Sequence, residues 1–481
     1  MKNYALRPRT ATAVGLLAGC ACAGLPMFLL LHALQPHEPL PVFELDPDIV
    51  PVGASATDLI TVPPVEGAPE GEAAVERDED ADLAEQENIA KLASLDCLVE
   101  EPDDARFRNR LHVTFPKGQA REEALRLLPA ISRLSWLTFD GVSLREKQFD
   151  LLAGLKGVTF LELASCPISD GDLAALGKWT YLESLALSEL SIGDAGLENL
   201  PDLPRLKYLS LSKTQVGDKS LTRVGQWRNL RALVLDGTKV TDAGLAALAP
   251  LDNLERLILQ DTQIGLHGLQ TLPAWPSLAR LILNRTRMDD RALASLGRLS
   301  RLTELQLQAC PISDAGLAEL AKLPQLIRLD LSGDAIQGDG LSALKGLQKL
   351  RCLVLNDTPL DDAHLPLLIE LESVQELDLA GTPVTDDGLA VLASRRDWTR
   401  LNLSGTMITD DGVKHLAGLA NLAYLDLSAT SITNASLEVL AGLQELYHLS
   451  LAQTKVTAEQ AARLRKALPK LRNLRHSPIS H

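Results

Sequence analysis

Residues 230–248 read LRALVLDGTKVTDAGLAAL. Leu230, Leu233 and Leu235 read as a short strand with one side turned to a core, and Val240, Leu245 and Leu248 continue at near-helical spacing. The segment is therefore one strand, a turn and a short helix. A helix of two or three turns is marginal alone, so such a unit holds only by packing its apolar side on similar units.

Similar units are present. Their first positions are Leu134, Val158, Leu182, Leu206, Leu230, Leu254, Leu278, Leu302, Leu326, Leu350, Val374, Trp398, Leu422 and Leu446, fourteen copies at a spacing of 24. A fixed short period predicts a solenoid. Adjacent strands sit ~4.8 Å apart, whereas packed helices need about 8–10 Å. The stack should therefore curve, strands inside and helices outside, with an inner arc of roughly 65 Å. The expected fold class is α/β, with a parallel concave sheet and helices on the convex face.

The motif L-x-x-L-x-L-x-x-T-x-[IV]-[TSG]-D-x-G-L is nearly intact at Leu230–Leu245, Val374–Leu389 and Trp398–Val413. It resembles the leucine-rich repeat family, in particular the ribonuclease-inhibitor and GALA-like subclass. It is also similar to bacterial repeat proteins of the planctomycete type. The resemblance covers about Leu134 to the C-terminus. It implies a right-handed horseshoe whose concave sheet binds a protein. Some relatives carry an F-box that recruits ubiquitin ligases; an F-box-like or effector adaptor is thus an alternative reading, although no such segment is recognisable here.

Three columns of the repeat carry polar or small residues. The ninth position is Thr at 214, 238, 262, 286, 358, 382, 406, 430 and 454, and Cys at 166 and 310. Its hydroxyl or thiol is expected to bond loop backbone that burial would leave unpaired; no base stands beside it to make a nucleophile. Asp170, Asp194, Asp218, Asp242, Asp290, Asp314, Asp362, Asp386 and Asp410 each precede a helix. Stacked carboxylates could suggest calcium, but each unit lacks further oxygen ligands, so these are expected to cap their helices. Gly196, Gly244, Gly268, Gly316, Gly340, Gly388 and Gly412 follow two residues later, a spacing that suits close helix approach.

The chain ahead of the repeats is different material. Ala11–Leu34 has no formal charge and as a helix would span ~36 Å. Lys2, Arg7 and Arg9 precede it and Glu38, Glu44 and Asp46 follow, so it reads as a signal anchor with a cytoplasmic N-terminus at 1–10. Two alternatives remain: Leu17-Ala-Gly-Cys20 resembles a lipobox that would leave Cys20 lipidated, and a cleaved secretory signal fits as well. Residues 35–104 hold 20 acids and 2 bases, with eight prolines from Pro36 to Pro69. That composition predicts a disordered tether, whose residues 35–87 reach about 40 Å, with a short helix around Leu83–Leu95. Residues 105–133 read as an N-terminal cap unit on Val113, Phe115, Leu125 and Leu128, 134–469 as the repeats, and 470–481 as a C-terminal cap and tail. Arg463, Arg465, Lys466, Lys470, Arg472 and Arg475 read as a solvated capping face.

The net charge of −16 sits almost wholly in 35–104, leaving 105–481 nearly neutral, which argues against nucleic acid. The six cysteines form no disulfide framework: Cys166 and Cys310 lie six units, or ~29 Å, apart. The nine histidines include no metal-spaced pair, and no phosphate loop appears, so no enzyme, cofactor, metal or small-molecule substrate is expected.

Binding is expected on the concave sheet, where third and fifth positions point away from the core. The third position offers Trp136, Phe160, Tyr208, Arg256, Arg280, Arg328, Arg400 and Tyr424; the fifth offers Val234, Ile258 and Ile282, then Asp330, Asp378 and Asp426. Apolar residues flanked by Arg and aromatics have the composition of binding hot spots. The bland alternative is that Arg256 and Arg280 pair with Glu304 and Glu376 and that cross-strand aliphatics stabilise the sheet. Together these features predict a membrane-tethered scaffold, single-pass in the inner membrane with its repeats outside, that binds a protein in the cell envelope. The alternative is an architectural spacer with no specific ligand.

Overall fold

The computed structural model describes residues 79–101, 110–144, 146–152 and 155–477. Each of the fourteen units contributes one strand, from Leu134–Asp140 to His448–Ser450, and all lie parallel in one ladder. Leu111–Phe115 adds a parallel strand before them and Asn473–Arg475 one after. Leu98–Glu100 closes the first edge antiparallel, making 17 strands.

Register equals period. Leu233 lies opposite Leu257, Leu257 opposite Leu281 and Leu281 opposite Leu305, so each position forms a straight column. Only the ends slip: a bulge between Leu111 and His112 sets the first strand, and His448 pairs with Asn473, one residue beyond the period. The columns facing inward make the core. Leu233, Leu257, Leu281, Leu305, Leu329 and Leu353 are all 0% exposed, and so are the sixth-position leucines beside them, Leu235 to Leu355. Each such burial contributes roughly 1.5–3 kcal/mol against an exposed leucine. A single unit lacks this, because the units on either side supply part of the cover.

The helical side is slighter than expected. Its α segments run from 4 residues (Asp242–Leu245) to 8 (Asp386–Ala393), with 10 in the last unit (Ala458–Ala467), and several returns are 3₁₀, such as Leu341–Gly346. A closed 24-residue circuit explains this. The return leg must match a strand of three residues, ~10 Å long. Six residues of 3₁₀ at ≈ 2.0 Å each already cover it.

One column escaped the sequence reading. The eighth residue of each unit turns the chain off the strand with positive φ: Ser165, Glu189, Lys213, Asp261, Arg285, Ala309, Asp357, Ala429 and Gln453 lie between 51° and 60°, and Gly141, Gly237, Gly333, Gly381 and Gly405 fill the same slot. Glycine takes this conformation without strain; five glycines among fourteen residues were the only signal.

The boundary of the tether also differs. Residues expected as linker up to 104 include a helix, Glu79–Ser94, and the edge strand Leu98–Glu100. Leu92 is 0% and Cys97 6% exposed, packed on the repeat core. Glu85 locks the helix down: it accepts from Ser132 N (3.1 Å) and Oγ (2.6 Å) and pairs with Arg133 Nε at 2.8 Å. The helix matches the one expected around Leu83–Leu95; its docking on the repeats and the strand that follows it were not expected. Among the described residues no helix is long and apolar enough to cross a membrane; Ala11–Leu34, with Cys20, lies outside them.

Candidate functional site

The aspartate column comes first, because it could have been a cation site. Its carboxylates do not cap their own helices. Asp218 accepts from Thr241 N (2.8 Å) and Oγ1 (2.7 Å), one unit on. Asp290 does the same with Ser313, Asp362 with Thr385, Asp386 with Thr409 and Asp410 with Thr433. The caps are the residues just before: the side chains of Thr241, Ser313, Thr385, Thr409 and Thr433 accept from the N–H two positions later. Each aspartate is thus a staple between units. Burial raises the Asp194 carboxyl, but donors from Ser220 and Gly217 outweigh it and hold the group below its usual range.

The glycine column answers the staple. A Cβ at Gly196 would lie 2.5 Å from Asp170 Oδ1, at Gly244 2.5 Å from Asp218 Oδ1, and at Gly412 2.2 Å from Asp386 Oδ1. Where the preceding unit has Leu266 instead of Asp, the slot holds Ala292. Ser220 and Ser436 fill it twice, and there the hydroxyl donates to Asp194 (2.6 Å) and Asp410. The two columns therefore form one device spanning unit boundaries.

The threonine column matches its expected role. Thr214, Thr238, Thr286, Thr358 and Thr382 each donate Oγ1 to the carbonyl three residues back, at 2.6–2.7 Å. Cys310 Sγ instead reaches Leu283 O of the previous unit at 3.2 Å, and Cys166 Sγ reaches Phe139 O at 3.4 Å.

The open face of the sheet carries all the proposed contact residues, in the two expected rows. They are not the exposed patch the sequence suggested. Val234, Ile258 and Ile282 are 2, 5 and 8% exposed, and Phe160, Tyr208, Arg280 and Tyr424 are also buried. In-register neighbours on both sides, ~4.8 Å away, shield the flanks of each side chain. Trp136, Arg256, Arg328 and Arg400 are half-buried.

Stacking and pairing order this face. At one end His112, Trp136 and Phe160 stack in sequence, with centroids 4.5 and 5.5 Å apart. His112 Nε2 shares hydrogen bonds with Thr138 Oγ1 (2.9 Å) and Thr114 Oγ1 (3.1 Å). In the middle Arg280 Nε meets Glu304 Oε2 at 2.6 Å, the pairing foreseen as the bland reading. Arg328 Nη1 donates to Cys352 Sγ at 3.0 Å. Toward the other end Arg400 lies 3.9 Å over the Tyr424 ring, which stacks on His448 at 4.5 Å. Burial first, then Arg475 and Arg400, pushes the His448 imidazole down to about 4. Asp330, Asp378 and Asp426 each accept from the N–H two residues later, at 2.8–3.0 Å, so they shape the strand ends.

Among the described residues no three His, Cys, Asp or Glu side chains stand close enough to hold a metal ion. Cys97, Cys166, Cys310 and Cys352 are unpaired thiols.

Comparison with known proteins follows from this geometry. The Leucine Rich repeat family model matches residues 228–249, 300–321, 371–393 and 399–417. A sequence comparison with curated proteins finds no significant match. Among solved structures, an internalin from Listeria monocytogenes is 18% identical, with 82% of this chain and 94% of that one covered and a TM-score of 0.43. A leucine-rich repeat protein from Leptospira interrogans is 18% identical, with 75% and 88% covered and a TM-score of 0.47. The ectodomain of a plant membrane receptor kinase from Arabidopsis thaliana, in complex with Casparian strip integrity factor 2, is 16% identical, with 75% and 52% covered and a TM-score of 0.37. Four units match the family model directly and the other ten share their period and register, so the repeats of this chain are leucine-rich repeats.

Proposed function

We propose that this protein is a membrane-tethered scaffold that binds a protein partner in the cell envelope through the open face of its sheet. The observation that carries the reading is the uninterrupted row of third-position side chains from Trp136 to His448, in register on one face. Large aromatic and arginine side chains recur along it, the residue types that anchor protein interfaces. Neighbouring stacks and ion pairs hold them in place, so less side-chain entropy is lost on binding. Trp136, Arg256, Arg328 and Arg400 are the contacts best placed for a partner, with Phe160, Tyr208, Arg280, Val234, Ile258, Ile282 and Tyr424 packed beside them on the same face. The tether reading rests on the charge-free stretch Ala11–Leu34 and the basic residues before it.

The test uses the tagged full chain, crosslinked in cells of its native source and captured in detergent. A protein enriched with the wild type and lost with Trp136→Ser/Arg256→Glu/Arg400→Glu supports the proposal. Equal capture by both proteins moves binding off this face, and no enrichment at all favours a spacer. The intact mass of the membrane-extracted chain separates an uncleaved anchor from a product beginning at Cys20.

A further inference from the structure

One boundary in the stack is built unlike the others. Between the units 326–349 and 350–373 the stapling aspartate is replaced by Gly338. Leu266 also replaces an aspartate, but its side chain packs on the core and supplies contact of another kind. Gly338 has nothing to offer. Instead His364 of the following unit lies over it: a Cβ at Gly338 would meet His364 Cβ at 2.4 Å. His364 then bridges the joint through Nε2 to Asp339 Oδ1 (3.2 Å), while Nδ1 meets Asp361 Oδ1 (2.9 Å). Both ring nitrogens face carboxylates, and only an imidazolium can donate to both.

The same unit breaks the threonine column. Asp334 occupies the ninth position, 3% exposed. Its Oδ1 accepts from Cys310 N at 2.7 Å, whereas Oδ2 has no donor. A proton on Oδ2 would restore the hydroxyl-type donor that threonine supplies in nine other units. Unit 326–349 thus has, at each of its two boundaries, a group whose surroundings favour a bound proton.

We propose that unit 326–349 is a pH-sensitive weak point of the stack, held to unit 302–325 through a protonated Asp334 and to unit 350–373 through a protonated His364, and opening first as the pH rises. The surroundings agree. Asp334 faces Cys310 from the preceding unit, Asp330 from its own strand and Asp290 from an earlier helix start. Burial first, then Asp330 and Asp290, pushes its carboxyl up to about 8. His364 faces Asp361 on its own turn and Asp339 across the joint, while Asp362 is engaged with Thr385. The hydrogen bond to Asp361 and then that to Asp339 raise its imidazole above 6.5, against burial. Both folded values exceed the unfolded ones, so both contributions are complete at low pH and are lost as the pH rises through the folded values.

Hydrogen exchange of the full chain, corrected for intrinsic rates, tests this at pH 5.5 and 7.5. One proton released on opening changes protection by up to about tenfold per pH unit. Protection across 326–373 should therefore fall up to about a hundredfold more than across 374–421. Asp334→Asn, an isostere that keeps a donor without titrating, should remove most of that slope, and His364→Gln should remove the remainder. An equal slope in the two segments, or an unchanged slope in Asp334→Asn, would overturn the proposal.

Discussion

Gly196→Ala should destabilise this protein, although alanine is the better helix former. The added Cβ would stand 2.5 Å from Asp170 Oδ1 and 3.2 Å from Leu173 Cδ1. Ordinary contact begins near 3.4 Å, so the carboxylate must retreat by about 0.9 Å. That movement strains its bond from Gly193 N, 2.9 Å long. Overpacking costs about 1–3 kcal/mol and weakening a hydrogen bond to a charged acceptor about 1.5 kcal/mol. Helix propensity returns about 1 kcal/mol. The net loss is about 2 kcal/mol. Asp170→Ala alone should cost about 1.5 kcal/mol. In that background the clash is nearly gone, and Gly196→Ala should become neutral or stabilising by up to about 1 kcal/mol. The assay is the urea midpoint of all four proteins at constant m. Additive losses in the double mutant, or a neutral Gly196→Ala in the wild type, would refute the coupling. The natural pair Leu266 and Ala292 is the precedent for the rescue.

Further expectations concern the buried polar groups. Thr238→Val keeps the shape but removes the 2.6 Å bond to Leu235 O, and should cost about 1 kcal/mol in thermal unfolding. Arg280→Met removes the ion pair of Glu304, which keeps Gln306 Nε2 at 2.7 Å, and should cost about 2 kcal/mol, most of it recovered when Glu304→Leu is added; no recovery would mean that the pair is not coupled. His448, held neutral by burial and nearby arginines, should show no imidazole titration by NMR until the pH approaches about 4. Because its folded value lies below the unfolded 6.5, its contribution is present above pH 6.5 and is lost as the pH falls through about 4.

The sequence by itself determined the architecture of the repeat region. Period and register coincide because every unit packs on a copy of itself, so the spacing from Leu233 to Leu257 is at once a sequence distance and a step across the sheet. The threonine column was legible for the same reason, since its bond to the carbonyl three residues back is local. Tertiary structure alone decided what passes between units. The aspartates read as local caps, yet their partners stand 23 to 26 residues away, where a one-unit reading does not look. The glycines make full sense only with those carboxylates against them. Helix Glu79–Ser94 was legible around Leu83–Leu95, but its docking was not: it is held by Ser132 and Arg133 some fifty residues later. Exposure on the open face was likewise beyond sequence reach: facing away from the core is set by strand alternation, but being covered depends on which side chains stand beside it in adjacent strands.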